Sequence, residues 1–312
     1  MIKFVESENA REFLNLLIDH QHEKLNYWRF RGHSESSYSL IPCVLRPGVV
    51  EEINIIVTDL NENIGADRYN LNSVYQYEIE QTLLKSFYSL CKQHGLPIPR
   101  LSVDYLKFNK VKKWIADDYL EIAALAQHYG LPTRLLDWTY DILSAAFFAV
   151  AGVDSADFIS AKKSRYQLST GEPKDDKIVI WGINIVELTR IKEEHKLDDL
   201  PFEVINCSYE YNKNIIAQQG ALSQWKEDFS CDISLENQRK PLDEKFSEYF
   251  AGKGIAPKNI FIKYTLPHRQ VANLSKLLTS LNYSEAKLFP GYEGVVKSMM
   301  NKHYGGGGLH RF

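Results

Sequence analysis

The chain has 312 residues, 44% of them hydrophobic, which suits a sizeable folded core and excludes a disordered chain. Its 37 basic and 40 acidic residues leave a net charge of −3, so no general positive field attracts nucleic acid or lipid. The longest apolar run, Ile142 to Val153, is too short to span a bilayer, and acids interrupt the N-terminal residues. A cytoplasmic protein without membrane contact is predicted. The four cysteines lie far apart, so neither a metal site nor a disulfide framework is expected.

The first elements in chain order are a helix over about residues 9–21 and a strand over residues 27–32. Because side chains alternate along a strand, Trp28 and Phe30 share one face and Arg31 points to the other. We therefore expect an apolar face against the core and a cationic face opposite it.

A helical insert is predicted over about residues 74–151. Apolar spacing indicates helices near 75–95 and 114–130, and a third over about 139–151 that is apolar all round and therefore buried on every side. Residues 152–177 are polar and contain Gly and Pro, which predicts a flexible insertion.

The second half alternates between strands and helices without a regular pattern or repeat. It predicts strands at 177–182, 202–205 and 259–264, and helices at about 186–195, 243–250 and 268–281. This order favours a single domain over residues 1–312 with an α+β fold, in which a mixed sheet carries the helical insert in its first half.

Common sequence signatures of enzymes are missing. The chain has no Gly-x-Gly-x-x-Gly between a strand and a helix, no Walker loop, no His-Glu-x-x-His and no Gly-x-Ser-x-Gly. Their absence disfavours ordinary dehydrogenases, P-loop enzymes, zincins and α/β-hydrolases. What remains is a set of polar residues in apolar settings.

The first polar segment is Phe30-Arg31-Gly32, at the end of the predicted strand. Arg31 would present a planar, permanently charged fork to a phosphate or carboxylate, and Gly32 would let the backbone approach the ligand closely. The alternative is an arginine held in an ion pair on the face of the sheet.

The second segment, Ala126 to Thr139, joins two buried helices yet concentrates polar side chains. This density suggests a site, and we expect Arg31, Arg134 and Asp137 to line one cleft. A structural role is the alternative, in which Asp137 or Thr139 caps the next helix and Arg134 pairs with Asp137.

A third pair of segments, Ala217–Gly220 and Leu288–Gly294, is rich in glycine. Glycines on both sides of Glu293 would set its carboxylate at a turn before a helix, where the helix dipole keeps it ionised. A simple carboxylate at a helix N-terminus is the alternative.

Together these segments resemble the FRG domain family, named for its Phe-Arg-Gly motif. The resemblance rests on Phe30-Arg31-Gly32, on the run from His128 to Thr139, on Gln219-Gly220, and on Leu288-Phe289-Pro290 with Glu293-Gly294. It covers about residues 25–300 and implies occurrence in bacterial and phage-related genomes.

A second resemblance, to arginine-type ADP-ribosyltransferases, implies a mechanism. In such enzymes an early aromatic-Arg-Gly strand, a Ser/Thr segment before an Ala/Phe-rich helix and a late carboxylate handle NAD. By this resemblance Arg31 would hold the NAD pyrophosphate, aromatic rings would stack on nicotinamide, and a carboxylate would stabilise the oxocarbenium-like state. The catalytic residues implied are Arg31, Asp137 and Glu293, and those contacting NAD are Tyr27, Arg31, Gly32, His128, Tyr129, Thr133, Arg134, Trp138 and Gln219.

The function predicted is an NAD-dependent ADP-ribosyltransferase, a toxin or anti-phage defence effector. Its acceptor would be a macromolecule, protein or nucleic acid, and an antitoxin or chaperone is a further expected partner. One alternative is a noncatalytic module that binds a nucleotide or a partner through the same cluster. Another is a metal-dependent nuclease that uses Asp137 with Glu244-Lys245 or with Glu285 and Lys287.

Overall fold

A computed structural model describes residues 1–23, 27–49, 53, 73–99, 114–115, 119–163, 177–198, 200–205, 213–227 and 234–301. The strands are β1 (Ile2–Glu6), β2 (Trp28–His33), β3 (Leu136–Thr139), β4 (Lys177–Asn184), β5 (Phe202–Ile205), β6 (Gly220–Trp225) and β7 (Phe261–Pro267). The α-helices are α1 (Ala10–Glu23), α2 (Ser73–Gln93), α3 (Leu120–His128), α4 (Ile142–Lys163), α5 (Ile185–Glu194), α6 (Lys213–Ala217), α7 (Leu235–Gln238), α8 (Leu242–Gly252), α9 (Val271–Ser280), α10 (Glu285–Leu288) and α11 (Tyr292–Asn301). Short 3₁₀ turns lie at Cys43–Leu45 and His268–Gln270.

The seven strands form one mixed sheet in the order β1-β7-β4-β2-β3-β6-β5, which confirms the predicted α+β fold. The β1 strand runs parallel to β7, and the other neighbours are antiparallel. Strands β2 and β4 pair along the whole of β2, from Trp28 to His33, but β2 and β3 share one pair, Phe30 with Thr139. Beyond this pair, β2 and β3 have no further paired residues, so the two strands separate there.

Helices cover both faces of the sheet because successive apolar side chains along its strands point to opposite faces. Along β4, Ile178 and Ile180 belong to one buried cluster, and Val179 and Trp181 belong to the other. The first cluster is covered by α1, α4 and α9, and the second by α5 and α8. The sheet thus forms the middle layer between two sets of helices.

Helices α2 and α3 pack beside β6 and β5 at one end of the sheet, where Leu84 and Ala123 share a buried cluster with Leu222. Strand β3 lies within residues 74–151, so the insert predicted to be helical also supplies a strand of the sheet. The predicted insertion at 152–177 is corrected in part because α4 continues to Lys163, and residues 164–176 lie outside the described residues.

Asp141 caps the N-terminus of α4. Its carboxylate accepts hydrogen bonds from the Leu143 backbone N–H at 3.1 Å and the Ser144 hydroxyl at 2.7 Å. Asp137 and Thr139, the residues expected to cap this helix, both lie in β3. Within the described part of the chain, no helix has both the length and the apolarity that a bilayer span requires.

Gly32 lets α4 lie directly against β2. A Cβ atom at this position would lie 1.9 Å from the Ala145 carbonyl oxygen and 2.8 Å from the Ala149 nitrogen. Both atoms belong to the backbone of the helix, so neither can rotate away. The glycine therefore allows a helix, and not a ligand as the sequence suggested, to approach the strand closely.

Candidate functional site

Arg31 lies where β2 and β3 part. Its Nε donates to His33 Nε2 at 2.8 Å, and its Nη1 donates to the Asp137 carbonyl oxygen at 2.8 Å and lies 3.5 Å from Asp137 Oδ2. Burial lowers the pKa of Arg31, although a guanidinium stays protonated in proteins. Its side chain keeps 16% exposure, and Nη2 makes no hydrogen bond to any residue that the structure describes. One amino group of the guanidinium therefore has no hydrogen-bond partner among the described residues.

His33, which is also in β2, fixes the position of Arg31 by accepting a hydrogen bond from its Nε. The His33 ring is 6% exposed, and its Nδ1 lies 3.2 Å from the Tyr38 carbonyl oxygen. Burial, followed by the positive charge of Arg31, lowers the pKa of His33 to about 3. The neutral ring therefore donates from Nδ1 and accepts at Nε2, as the Arg31 contact requires.

Asp137 presents an oriented carboxylate beside Arg31. Leu136 and Trp138 point into the sheet's second apolar cluster, so Asp137 points to the opposite face, where 63% of its side chain is exposed. Gln127 Nε2 donates to Asp137 Oδ1 at 2.6 Å, and Gln127 Oε1 accepts from the Thr133 hydroxyl. The buried Thr133 therefore supports the site through Gln127 rather than by the predicted contact with NAD.

His128 and Tyr129 lie at the end of α3, directly after Gln127, which contacts Asp137. Burial lowers the pKa of His128, and the nearby Asp137 carboxylate opposes that shift. The His128 Nε2 atom lies 3.3 Å from the Asn214 amide nitrogen. The Tyr129 ring meets the His128 ring edge to face at 5.0 Å and is 72% exposed. This pair offers an aromatic surface next to the carboxylate.

Arg134 does not join this cluster, which corrects both predictions made for it. Its Nε and Nη2 donate to the two carboxylate oxygens of Glu80 at 2.6 and 2.9 Å, and both side chains are almost completely buried. This ion pair connects the residues just before β3 to helix α2. Arg134 therefore pairs with Glu80 in the core and not with Asp137.

Three other predicted ligand contacts lie elsewhere. Trp138 is 4% exposed and donates its indole N–H to the Ser223 hydroxyl at 2.7 Å, so its ring belongs to the core. Tyr27 precedes β2, at the opposite end of that strand from His33. Gln219 is exposed, has a left-handed φ of 47° and accepts the Tyr140 N–H at its carbonyl, so it shapes the turn before β6.

Glu293 lies in the first turn of α11, as expected from the glycines on both sides of it. Its carboxylate pairs with Lys297 one turn later at 2.7 Å, and 82% of the side chain is exposed. Within the described residues, the Arg31–Asp137 cluster makes no hydrogen bond or ion pair with Glu293. Its catalytic role stays a prediction, and Asp137 is the carboxylate that the fold places beside Arg31.

The nuclease alternative requires a group of metal ligands around Asp137. Across the ranges that the structure describes, no three His, Cys, Asp or Glu side chains come together in a way that could hold a metal ion. Asp137 instead faces the Gln127 amide N–H and the Arg31 guanidinium, and neither of these donor groups can ligate a cation.

The neutral state of His33 predicts a pH-dependent stability. Because the unfolded imidazole has a pKa near 6.5 and the folded one about 3, the unfolded chain binds more protons between these values, so stability falls as the pH falls. Replacing His33→Gln, whose amide can donate to Tyr38 and accept from Arg31, should remove about 2 kcal/mol of the loss between pH 7 and pH 5.

Urea unfolding at both pH values measures this effect. The exposed His195→Gln serves as the control and should keep the wild-type pH dependence. An unchanged pH dependence in His33→Gln would show that this ring does not stay neutral.

Comparison with known proteins identifies part of the chain. Residues 26–157 match the family model of the FRG domain, which confirms the predicted family for that segment. The match includes β2, β3 and the polar segment between α3 and α4, whereas Gln219 and Glu293 lie beyond it. The chain matches no curated protein and no solved structure.

Proposed function

We propose that this chain, which contains an FRG domain, binds NAD through Arg31 and transfers ADP-ribose to a macromolecular acceptor. One observation carries the proposal: Arg31 is fixed at Nε and Nη1 while Nη2 stays open beside an exposed carboxylate. The site lies where two central strands part, and there Arg31 Nη1 lies 3.5 Å from Asp137 Oδ2.

The fixed guanidinium suits a phosphate group. Its orientation is set before binding by His33 and by the Asp137 backbone carbonyl, so little side-chain entropy is lost when an anion arrives. The pyrophosphate of NAD would accept from Nη2 in a partly buried setting, where a charge-assisted hydrogen bond is strong.

The Asp137 carboxylate is the proposed catalytic group. In the transfer the C–N bond between ribose and nicotinamide breaks, its electron pair leaves with nicotinamide, and positive charge develops on the ribose. A fixed anion stabilises that charge more in the transition state than in bound NAD. The acceptor nucleophile then bonds to the ribose carbon and loses its proton.

Gln127 and the aromatic pair would complete the site. The Gln127 amide orients Asp137 Oδ1 and leaves Oδ2 directed towards Arg31. The exposed Tyr129 ring provides a surface on which a nicotinamide or adenine ring can stack. These residues lie eight to ten positions before Asp137 in sequence, so one folded segment supplies most of the site.

A noncatalytic nucleotide-binding module is the second candidate. One observation favours it: Asp137 pairs with Arg31, and the described residues bring no second carboxylate into hydrogen bonds with this pair. Binding without transfer would use the same cluster, and only the release of nicotinamide separates the two functions.

Binding of NAD to purified protein, measured by calorimetry, tests the role of Arg31. We expect Arg31→Lys to weaken binding at least about tenfold, on the order of 1.4 kcal/mol, because lysine cannot contact His33, Asp137 and a phosphate with one fixed fork. The matched control is Arg29→Lys on the same strand, since Arg29 lies over the Tyr140 ring at 3.6 Å. Equal affinities in all three proteins, or no binding by the wild type, would contradict the proposal.

A further inference from the structure

Helix α11 turns its large apolar side chains to solvent. The exposed side chains, which we call the α11 face, are Tyr292 at 94%, Val295 at 46%, Val296 at 57%, Met299 at 63% and Met300 at 66%. Because they recur at spacings of three and four residues, they share one side of the helix. Soluble surfaces commonly carry single exposed apolar residues, whereas a continuous group of this kind marks an interaction surface.

Small residues hold α11 in this orientation. Gly294 and Ser298, one turn apart, are the buried positions between residues 292 and 300. A Cβ atom at Gly294 would lie 2.0 Å from the Phe289 carbonyl oxygen and 2.8 Å from the Glu285 carbonyl oxygen. Rotating the helix to bury the α11 face would turn a residue with a Cβ atom into this backbone contact. The helix therefore cannot bury its apolar side against its own chain by rotation.

The α11 face is complementary to itself when a second copy lies antiparallel to it. Its middle is formed by Val295 and Val296, and larger side chains lie at its two ends. A two-fold axis through the valines places Tyr292 of one copy beside the partner's Met299, and the same contact is repeated at the other end. Contacts between a methionine sulfur and an aromatic ring are favourable. The valines meet at the axis, where short side chains let the two helices approach closely.

The charges next to the α11 face favour the same arrangement. Glu293 and Lys297 lie on one flank of the face and form an ion pair at 2.7 Å. An antiparallel copy presents this flank in the opposite direction, so that Glu293 lies beside the partner's Lys297. Helices that lie on anionic membranes instead carry an excess of Lys and Arg. One charge of each sign therefore indicates a protein surface with the same two charges rather than a lipid surface.

We propose that α11 packs antiparallel against α11 of a second copy and makes the chain a weak symmetric dimer. Five apolar side chains per copy are few beside the roughly 20–30 residues a side of a standard stable interface, so the dimer should dissociate at micromolar concentrations or above. This interface does not depend on the proposed function, and the test below uses no nucleotide.

Sedimentation of the full chain between about 1 μM and about 1 mM measures the dimer directly. The average mass should rise from one chain towards two across this range. Val296→Lys, which places two positive charges together at the two-fold axis, should raise the dissociation constant at least about tenfold. The matched control is Val186→Lys, the same change at a valine that is 46% exposed on α5, and it should dimerise like the wild type.

A charge exchange tests the antiparallel arrangement. Glu293→Lys and Lys297→Glu should each weaken the dimer, because each sets like charges beside one another across the axis, and the double variant should return to within about threefold of the wild type. All of these positions are exposed, so the variants should melt as the wild type does. A wild type that stays monomeric up to about 1 mM, or a Val296→Lys protein that dimerises like the wild type, would overturn the proposal. A double variant as weak as the single ones would overturn the antiparallel pairing.

Discussion

Replacing Gly32→Ala should prevent the protein from folding. The added methyl group would lie 1.9 Å from the Ala145 carbonyl oxygen, inside the contact between β2 and α4. Overpacking a core costs about 1–3 kcal/mol where side chains can adjust, and more where the obstacle is backbone. Because Ala145 and Ala149 are completely buried, α4 cannot shift without opening the core.

Expression and thermal unfolding measure this effect, with Gly252→Ala as the matched control. At Gly252, which ends α8, a Cβ atom would meet nothing within 4 Å. The control should therefore melt as the wild type does. A Gly32→Ala protein with wild-type melting would mean that β2 and α4 lie further apart than described, and it would return Gly32 to a ligand-binding role.

Replacing Glu80→Gln should destabilise the protein almost as strongly. Breaking a buried ion pair by removing one partner typically costs about 3–5 kcal/mol. Arg134 would keep its charge while 3% exposed, with the lysine Lys245 also nearby. Chemical unfolding should show the loss, and Glu187→Gln, which breaks an exposed pair with Arg190, should have little effect.

The double variant Glu80→Met, Arg134→Met gives the corresponding functional test. Hydrophobic residues of similar volume often replace a buried pair at little cost, so the double variant should recover stability relative to Glu80→Gln. It should also bind NAD like the wild type, because Arg134 lies outside the cluster. Loss of NAD binding in a stable double variant would contradict the structural role of Arg134.

Most long, regular elements and the four-residue strand β5 were predictable from the sequence, whereas strands β1, β3 and β6 were not. Alternation identified β2, a run of β-branched and aromatic residues identified β4, and apolar spacing identified α1 and α2. Strand β3 is four residues long and follows a proline-containing turn, so its Leu136 and Trp138 alternation was hidden within a polar motif. An apolar strand of this length forms only because neighbouring strands complete its pairing.

The site was predictable as far as it depends on local sequence. Arg31 and Asp137 were expected in one cleft, and they meet. His33 was missed because the predicted strand ended at Gly32, although a residue two positions after Arg31 must share its face. The Arg134 pair could not be foreseen, since Glu80 is separated from it by 54 residues and reaches it only through the packing of α2.

In the proposed function, Asp137 and Arg31 turn bound NAD into an ADP-ribose donor. Release of nicotinamide by the wild type and by Asp137→Asn, with protein, RNA and DNA acceptors supplied in turn, tests it most directly. We expect release with at least one acceptor, and a rate about a hundredfold lower in Asp137→Asn, whose neutral side chain cannot stabilise the developing positive charge. ADP-ribose should bind both proteins within threefold. Wild-type protein that binds ADP-ribose but releases no nicotinamide with any acceptor would contradict the claim and identify a noncatalytic nucleotide-binding module.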